Sequence, residues 1–209
     1  MKATRLFAAA VLGFCGLIAT SQAVAEKGWY IGASAGSSHI DDDIAKGGLI
    51  TSGTVDGSST GFKIFGGYQF FDNLAVDLAL VDLGKAKYSG NYYSLPVTGG
   101  TVDIWGLNIA AVGILPVNPS FSLFAKAGIF AWEAKAKDTT GGAAFSTKEN
   151  GADFSFGLGM SYHFTKNWSA RLELERFKVG GGEDAYTGQP NSTGSANVDL
   201  YSLGVAYRF

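Results

Sequence analysis

Between Phe154 and Phe164 the chain alternates without a break. Phe154, Phe156, Leu158, Met160, Tyr162 and Phe164 share one parity, and Ser155, Gly157, Gly159, Ser161 and His163 share the other. A strand points successive side chains to opposite faces, so this stretch has one oily face and one small or polar face. The next stretch is phased the same way, with Trp168, Ala170, Leu172 and Leu174 against Ser169, Arg171, Glu173 and Glu175. The last residues, Val198 to Phe209, group Tyr201, Leu203, Val205, Tyr207 and Phe209 on one face and Ser202, Gly204, Ala206 and Arg208 on the other. Upstream, Ile64, Tyr68 and Phe70 oppose Lys63, Phe65 and Gln69, while Leu74, Val76, Leu78 and Leu80 oppose Asp77. Three stretches are less regular. There Trp29, Ile31, Leu107, Ile109, Leu123 and Ile129 are assigned to the oily face, and Tyr30, Asn108, Phe124 and Lys126 to the other.

The pattern predicts eight strands, at 29–38, 61–70, 74–84, 101–115, 121–135, 151–164, 168–178 and 198–209. Their lengths meet or exceed a tilted transmembrane strand. Connections alternate in length. Phe71-Asp72-Asn73, Pro116-Val117-Asn118-Pro119 and Thr165-Lys166-Asn167 read as tight turns. Between them, 39–60, 85–100, 136–150 and 179–197 read as long loops rich in Gly, Ser, Thr, Asp and Asn. Short turns at one end and long loops at the other are the outer-membrane arrangement, with the turns periplasmic and the loops extracellular. The fold class expected is an all-β, eight-stranded antiparallel up-and-down transmembrane barrel, with oily residues outside and charges within. A closed barrel is the non-helical way to satisfy backbone polar groups in lipid. Trp29, Phe70, Phe121, Phe164, Trp168 and Phe209 fall near the short turns, and Tyr88, Trp105, Trp132 and Tyr201 nearer the long loops, as two interfacial girdles would.

Residues 1–25 read as an export signal. Lys2 and Arg5 form a basic start, Leu6 to Ile18 an apolar run, and Ala23-Val24-Ala25 a small-x-small cleavage site. The run is too short for a comfortable membrane helix. Cys15 after Leu12-Gly13-Phe14 raises a lipoprotein reading, which the bulk of Phe14 disfavours. Cleavage leaves a barrel domain at 26–209 without cysteine, which suits an oxidising compartment. The 209-residue chain holds 30 Gly and only 4 Pro, and is too apolar and aromatic for disorder. Its net charge of −2 is too mild to name a partner, and no basic patch or basic–aromatic interleaving points to nucleic acid.

The phased strands, the run from Tyr162 to Glu175, the opening Gly28-Trp29-Tyr30-Ile31-Gly32-Ala33 and the ending Gly204-x-x-Tyr207-x-Phe209 together resemble the OmpA-like transmembrane barrel family. The resemblance implies an integral protein of the bacterial outer membrane, surrounded by lipid and expected to be a monomer. It also implies that Gly204, Tyr207 and Phe209 belong to the C-terminal stretch recognised by the barrel-insertion machinery. Larger members carry a peptidoglycan-binding domain after the barrel, and this chain is expected to lack that anchor.

An eight-stranded barrel is just wide enough for side chains to fill it. Lys63, Asp77, Lys126, Arg171, Glu173, Glu175 and Arg208 are expected in the lumen, four positive against three negative. Unpaired charges in a narrow interior are costly, so these residues are expected to pair. Two readings follow: a polar plug that stiffens a structural barrel, which is favoured, or a small gated pore for ions or small solutes. Catalysis is not expected. Only His39 and His163 are available, and no nucleophile, base and orienting acid cluster in the sequence. Asp41-Asp42-Asp43 beside His39 lacks the spaced ligands of a calcium loop, and Gly180-Gly181-Gly182 lacks the strand-to-helix setting of a phosphate cradle. No cofactor or metal is expected. The long loops, with Tyr92, Tyr93 and Tyr186, are candidates for adhesive contact with a host or surface ligand.

Overall fold

In the computed structural model the first strand pairs with the last, and the sheet has become a ring. The structure describes residues 27–40, 52–92, 95–140, 142–180 and 195–209. The strands are β1 (Gly28–Ile40), β2 (Ser52–Asp56), β3 (Ser58–Phe71), β4 (Leu74–Tyr92), β5 (Leu95–Asn118), β6 (Phe121–Thr140), β7 (Ala143–His163), β8 (Trp168–Gly180) and β9 (Ser195–Arg208). All pairings are antiparallel. Only Gly57 separates β2 from β3, and both lie along β4, so nine elements occupy eight positions around the ring.

Register fixes the shape. Stepping from partner to partner, Tyr30 leads to Gly67, Asp77, Ala110, Gly128, Ser155, Phe177 and Val198. Val198 pairs with Ile40, so the circuit closes ten residues further up β1 than it began, 40 − 30. With usual strand spacings, that offset over eight positions tilts the strands by about 40°. Each residue then climbs about 2.5 Å along the barrel axis.

The sidedness is the inverse of a water-soluble sandwich. Phe154, Leu158 and Leu203 are 63%, 63% and 64% exposed, whereas Lys63 and Glu173 are 1% exposed. Phe154 to Phe164, along β7 and one residue past its end, climbs about 25 Å, the height of an outer-membrane apolar band. Rings mark the lower edge of that band. Phe70, Tyr68 and Trp29 stack edge-on at 4.8 and 5.0 Å between centroids, and Phe209, Tyr207 and Trp168 do so at 5.2 and 5.0 Å. The Phe209 N–H donates to the Trp29 carbonyl at 3.0 Å and joins the two clusters. At the upper edge Trp105 faces out, but Tyr88 and Trp132 do not. They are buried in the lumen, where the Tyr88 hydroxyl donates to Asp138 and Trp132 Nε1 to Asp153, both at 2.8 Å. Trp132 shares its parity with Phe130 and Lys126, which turns it inward.

Two of the expected long loops are strands. Most of 85–100 belongs to β4 and β5, and most of 136–150 to β6 and β7, so these two hairpins rise well past the apolar band. Part of 39–60 is strand as well, in β2 and the start of β3. The turn expected at Pro116–Pro119 is tighter, because pairing continues to Asn118 opposite Phe121. The signal and its Ala23 and Ala25, Cys15, Asp41–Asp43, the glycines 181 and 182, Tyr93 and Tyr186 lie outside the described residues.

Candidate functional site: the lumen

The lumen is built from the inward parity of all eight positions. At the periplasmic mouth a cavity of about 40 Å³ is bordered by Tyr30, Gln69, Ser122, His163, Ser169 and Arg208, among others. Above it lie the charges. Lys63 on β3 donates to Glu173 at 2.7 Å and to Glu175, both on β8. Lys126 on β6 lies 2.8 Å from Asp77 Oδ2 on β4, 2.8 Å from Glu173 Oε2 and 3.6 Å from Glu175 Oε1. Arg171 on β8 reaches Glu173 Oε1 at 3.2 Å and Asp77 at 3.7 Å. The Tyr30 hydroxyl donates to the other Asp77 oxygen. Three cations thus meet three carboxylates. All six are buried, and Glu173 touches every cation.

Two rings brace the network. The Arg171 guanidinium carbon sits 4.6 Å from the Phe65 centroid and 4.5 Å from that of Phe124, a sandwich of cation–π contacts. Each ring lies over a glycine directly across the ladder: Phe65 over Gly32, Phe124 over Gly159. A Cβ at Gly32 would sit 2.4 Å from Phe65 Cζ, and one at Gly159 would sit 2.3 Å from Phe124 Cζ. Inward glycine is therefore what lets a narrow barrel hold inward phenylalanine.

Of the seven lumen residues expected from sequence, the structure brings six together. Arg208 stands apart, half-buried at the mouth, with its guanidinium 5.8 Å from the Tyr30 ring. The sequence reading missed what lies above the charges. Val81, Leu83, Ile104, Phe130, Phe177 and Leu200 fill the lumen there at 2% exposure or less, and Phe130 packs on Phe177 at 4.7 Å. The upper lumen is an apolar plug rather than a polar one. The signal was present, since all six continue the inward parity of their strands.

The two histidines are at opposite ends. His39 is exposed at the loop end, 3.4 Å from the Ser58 hydroxyl, and His163 borders the periplasmic mouth. Among the described residues no group of three His, Cys, Asp or Glu side chains is placed to hold a metal. Gly204, Tyr207 and Phe209 lie on β9 and its end. Gly204 pairs with Arg171 and with Ser34, Tyr207 pairs with Trp168 and Ile31, and Phe209 caps the girdle.

Comparison with known proteins agrees with this architecture. Outer membrane protein A of Serratia marcescens is 28% identical over 215 residues, and that of Yersinia pseudotuberculosis is 28% identical over 213. In both cases all of this chain is matched, and it spans 56% of the relative's length. Among solved structures, Neisserial surface protein A superposes with a TM-score of 0.58 at 15% identity, over 87% of this chain and 97% of that one. Ail, the attachment invasion locus protein of Yersinia pestis, gives 0.56 at 17% identity, over 88% and 100%. OprG of Pseudomonas aeruginosa gives 0.55 at 12% identity, over 88% and 97%. These are small outer-membrane barrels. The OmpA-like transmembrane domain model matches residues 24–209, so the chain belongs to the OmpA-like transmembrane domain family and is an integral β-barrel of the bacterial outer membrane.

Proposed function

We propose that this barrel is a closed structural element that carries a surface-interaction head, rather than a channel. The observation that supports this most is the double closure of the lumen. A solute would have to part six mutually paired charges and then cross a layer of close-packed side chains that includes Phe130 and Phe177. Opening the first layer unpairs buried charges and opening the second breaks a packed core, and both costs fall on the same event. Planar bilayers containing the purified chain should show at most small, irregular conductance. A steady, large conductance would overturn the closed reading in favour of the small pore. One feature favours that second reading in a limited form. Lys126 touches Asp77, Glu173 and Glu175 at once, so it has alternative partners during a transient rearrangement.

The surface role rests on the β4–β5 and β6–β7 hairpins, which stand past the apolar band on a rigid base. Ail, a structural neighbour, is an attachment protein by name and has been solved with the heparin analogue sucrose octasulfate. In this reading the ligand here is a host or surface molecule held at the loop end. Residues 1–25 are the removed export signal, and the β9 ending addresses the insertion machinery. Deleting the outer ends of the two hairpins, about residues 89–98 and 138–146, should abolish cell-surface binding while the barrel still inserts. Undiminished binding after that deletion would overturn the assignment of the contact surface to these hairpins.

A further inference from the structure

The cavity at the periplasmic mouth gathers polar groups that the protein itself does not satisfy. Parity turns Ser122, Ser161 and Ser169 inward, and register sets them beside one another. Ser122 pairs with Ser161, Ser161 with Arg171, and Ser169 with His163. The three serines, Gln69 and Arg171 all line the cavity, and each is more than nine-tenths buried. Among the described residues the three hydroxyls make no hydrogen bond to protein. Gln69 donates its side-chain N–H to the Asp72 carbonyl at 3.2 Å, which leaves its side-chain oxygen without a donor. Buried polar atoms are as a rule hydrogen-bonded, so four that converge on one space point to a polar occupant.

The sign of that occupant follows from the charges. Arg171 and Arg208 border the cavity, and no Asp or Glu does. The three cations and three carboxylates of the network cancel, so Arg208 takes the inward charges to four positive against three negative. Around the rim, Lys27 and Lys166 stand against Asp72 and the carboxyl group of Phe209, and these four cancel as well. A serine hydroxyl is free to rotate, so all three can turn their protons toward one anion.

Volume limits its size. The cavity holds about 40 Å³. One water needs roughly 10–15 Å³ measured this way, so the space takes about three water-sized bodies. A monovalent ion with one or two of its waters fits, and one of those waters can donate to the Gln69 oxygen. A phosphate ester or a sugar does not fit.

We propose that the periplasmic mouth binds a small monovalent anion of chloride's size, held by the hydroxyls of Ser122, Ser161 and Ser169 beside the guanidinium groups of Arg171 and Arg208. The test uses the full mature chain refolded in zwitterionic micelles, with binding read from the broadening of the chloride NMR line. Wild type should give saturable broadening that bromide displaces and that sulfate at equal ionic strength does not. Ser122→Ala with Ser161→Ala should weaken binding at least about tenfold, the effect of losing hydrogen bonds to a charged group. Arg208→Gln should weaken it in the same direction. Urea unfolding separates binding from folding. Without halide the double Ala variant should match wild type, since those hydroxyls have no protein partner to lose. Added chloride should then raise the wild-type midpoint and leave that of the double variant unchanged. Absence of saturable broadening in wild type overturns the proposal, as does broadening that the two Ala changes leave intact. Equal displacement by sulfate would mean general screening of a positive mouth rather than a sized site, and would overturn it too.

Discussion

Replacing Glu173 by alanine removes the one carboxylate that all three lumen cations touch. Contacts at 2.7 Å to Lys63, 2.8 Å to Lys126 and 3.2 Å to Arg171 are lost together. Three cations then face two carboxylates in a space with little access to water. Breaking a buried ion pair by removing one partner costs about 3–5 kcal/mol, most of it the penalty of the charge left behind. Lys126→Met leaves the opposite imbalance, two cations against three carboxylates, and should cost a similar amount. In the double variant the lumen is neutral again, with Lys63 still on Glu175 and Arg171 still on Asp77. Its cost should therefore fall near that of one single change instead of near the sum of about 6–10 kcal/mol.

The assay is urea unfolding of the chain refolded in phosphatidylcholine vesicles, followed by tryptophan fluorescence and extrapolated linearly. Conductance of each variant is recorded in planar bilayers alongside. The apolar layer above the charges is untouched by these changes, so the variants should lose stability without becoming steady pores. Strict additivity of the two single costs would refute the claim that the six charges act as one neutral unit. Destabilisation below about 1 kcal/mol together with an ohmic conductance would refute the plug itself, because the charges would then be gating and not bracing.

Gly159→Val places a branched side chain where a Cβ alone would lie 2.3 Å from Phe124, and should cost about 1–3 kcal/mol in the same unfolding assay; adding Phe124→Leu should recover part of it. Glu133 stands in the outer hairpin region, where hydrogen bonds led by that from Lys148 hold its carboxyl below the usual range. Its contribution is present above the unfolded carboxylate range and is lost as pH falls through the lowered folded value, so protection from hydrogen exchange in the 133–150 ladder, corrected for the intrinsic rate at each pH, should fall only on acidification below about pH 4. Loss of that protection at neutral pH would contradict the assignment. Phe209→Ala removes the end of the lower girdle and should slow insertion by reconstituted barrel-insertion machinery more than it lowers the urea midpoint of the inserted protein.

The barrel was legible in the sequence because lipid and lumen impose opposite chemistry on alternate residues. Ile64 against Lys63 and Leu172 against Glu173 each state the sidedness within two positions. What the sequence reading lost were the strands beyond the band. Ala134, Lys135, Ala136 and Lys137 alternate as strictly as Phe154 to Phe164, but alanine and lysine give a faint contrast, and water on the outer face replaces the lipid that sharpens it lower down. Tyr88 and Trp132 were drawn to the girdle by residue type, although their parity places them in the lumen. The apolar plug was missed for a related reason. Leu83, Ile104 and Leu200 carry the same chemistry as the lipid-facing residues, and only strict counting along the strand separates them. The pairing of charges was expected from cost alone. Glu173 as the common partner depends on the ten-residue offset of the ring, which no single strand displays.

The most direct test asks which side chains touch lipid tails. Nuclear Overhauser contacts with acyl-chain protons, measured on the folded chain in bilayer nanodiscs, should be strong for Ile64, Leu158 and Leu203 and missing for Phe65, Phe130 and Leu200. Acyl contacts at Phe130 or Leu200, with Leu158 and Leu203 silent, would contradict the assignment of lipid to the outside of the ring and a dry plug to its centre.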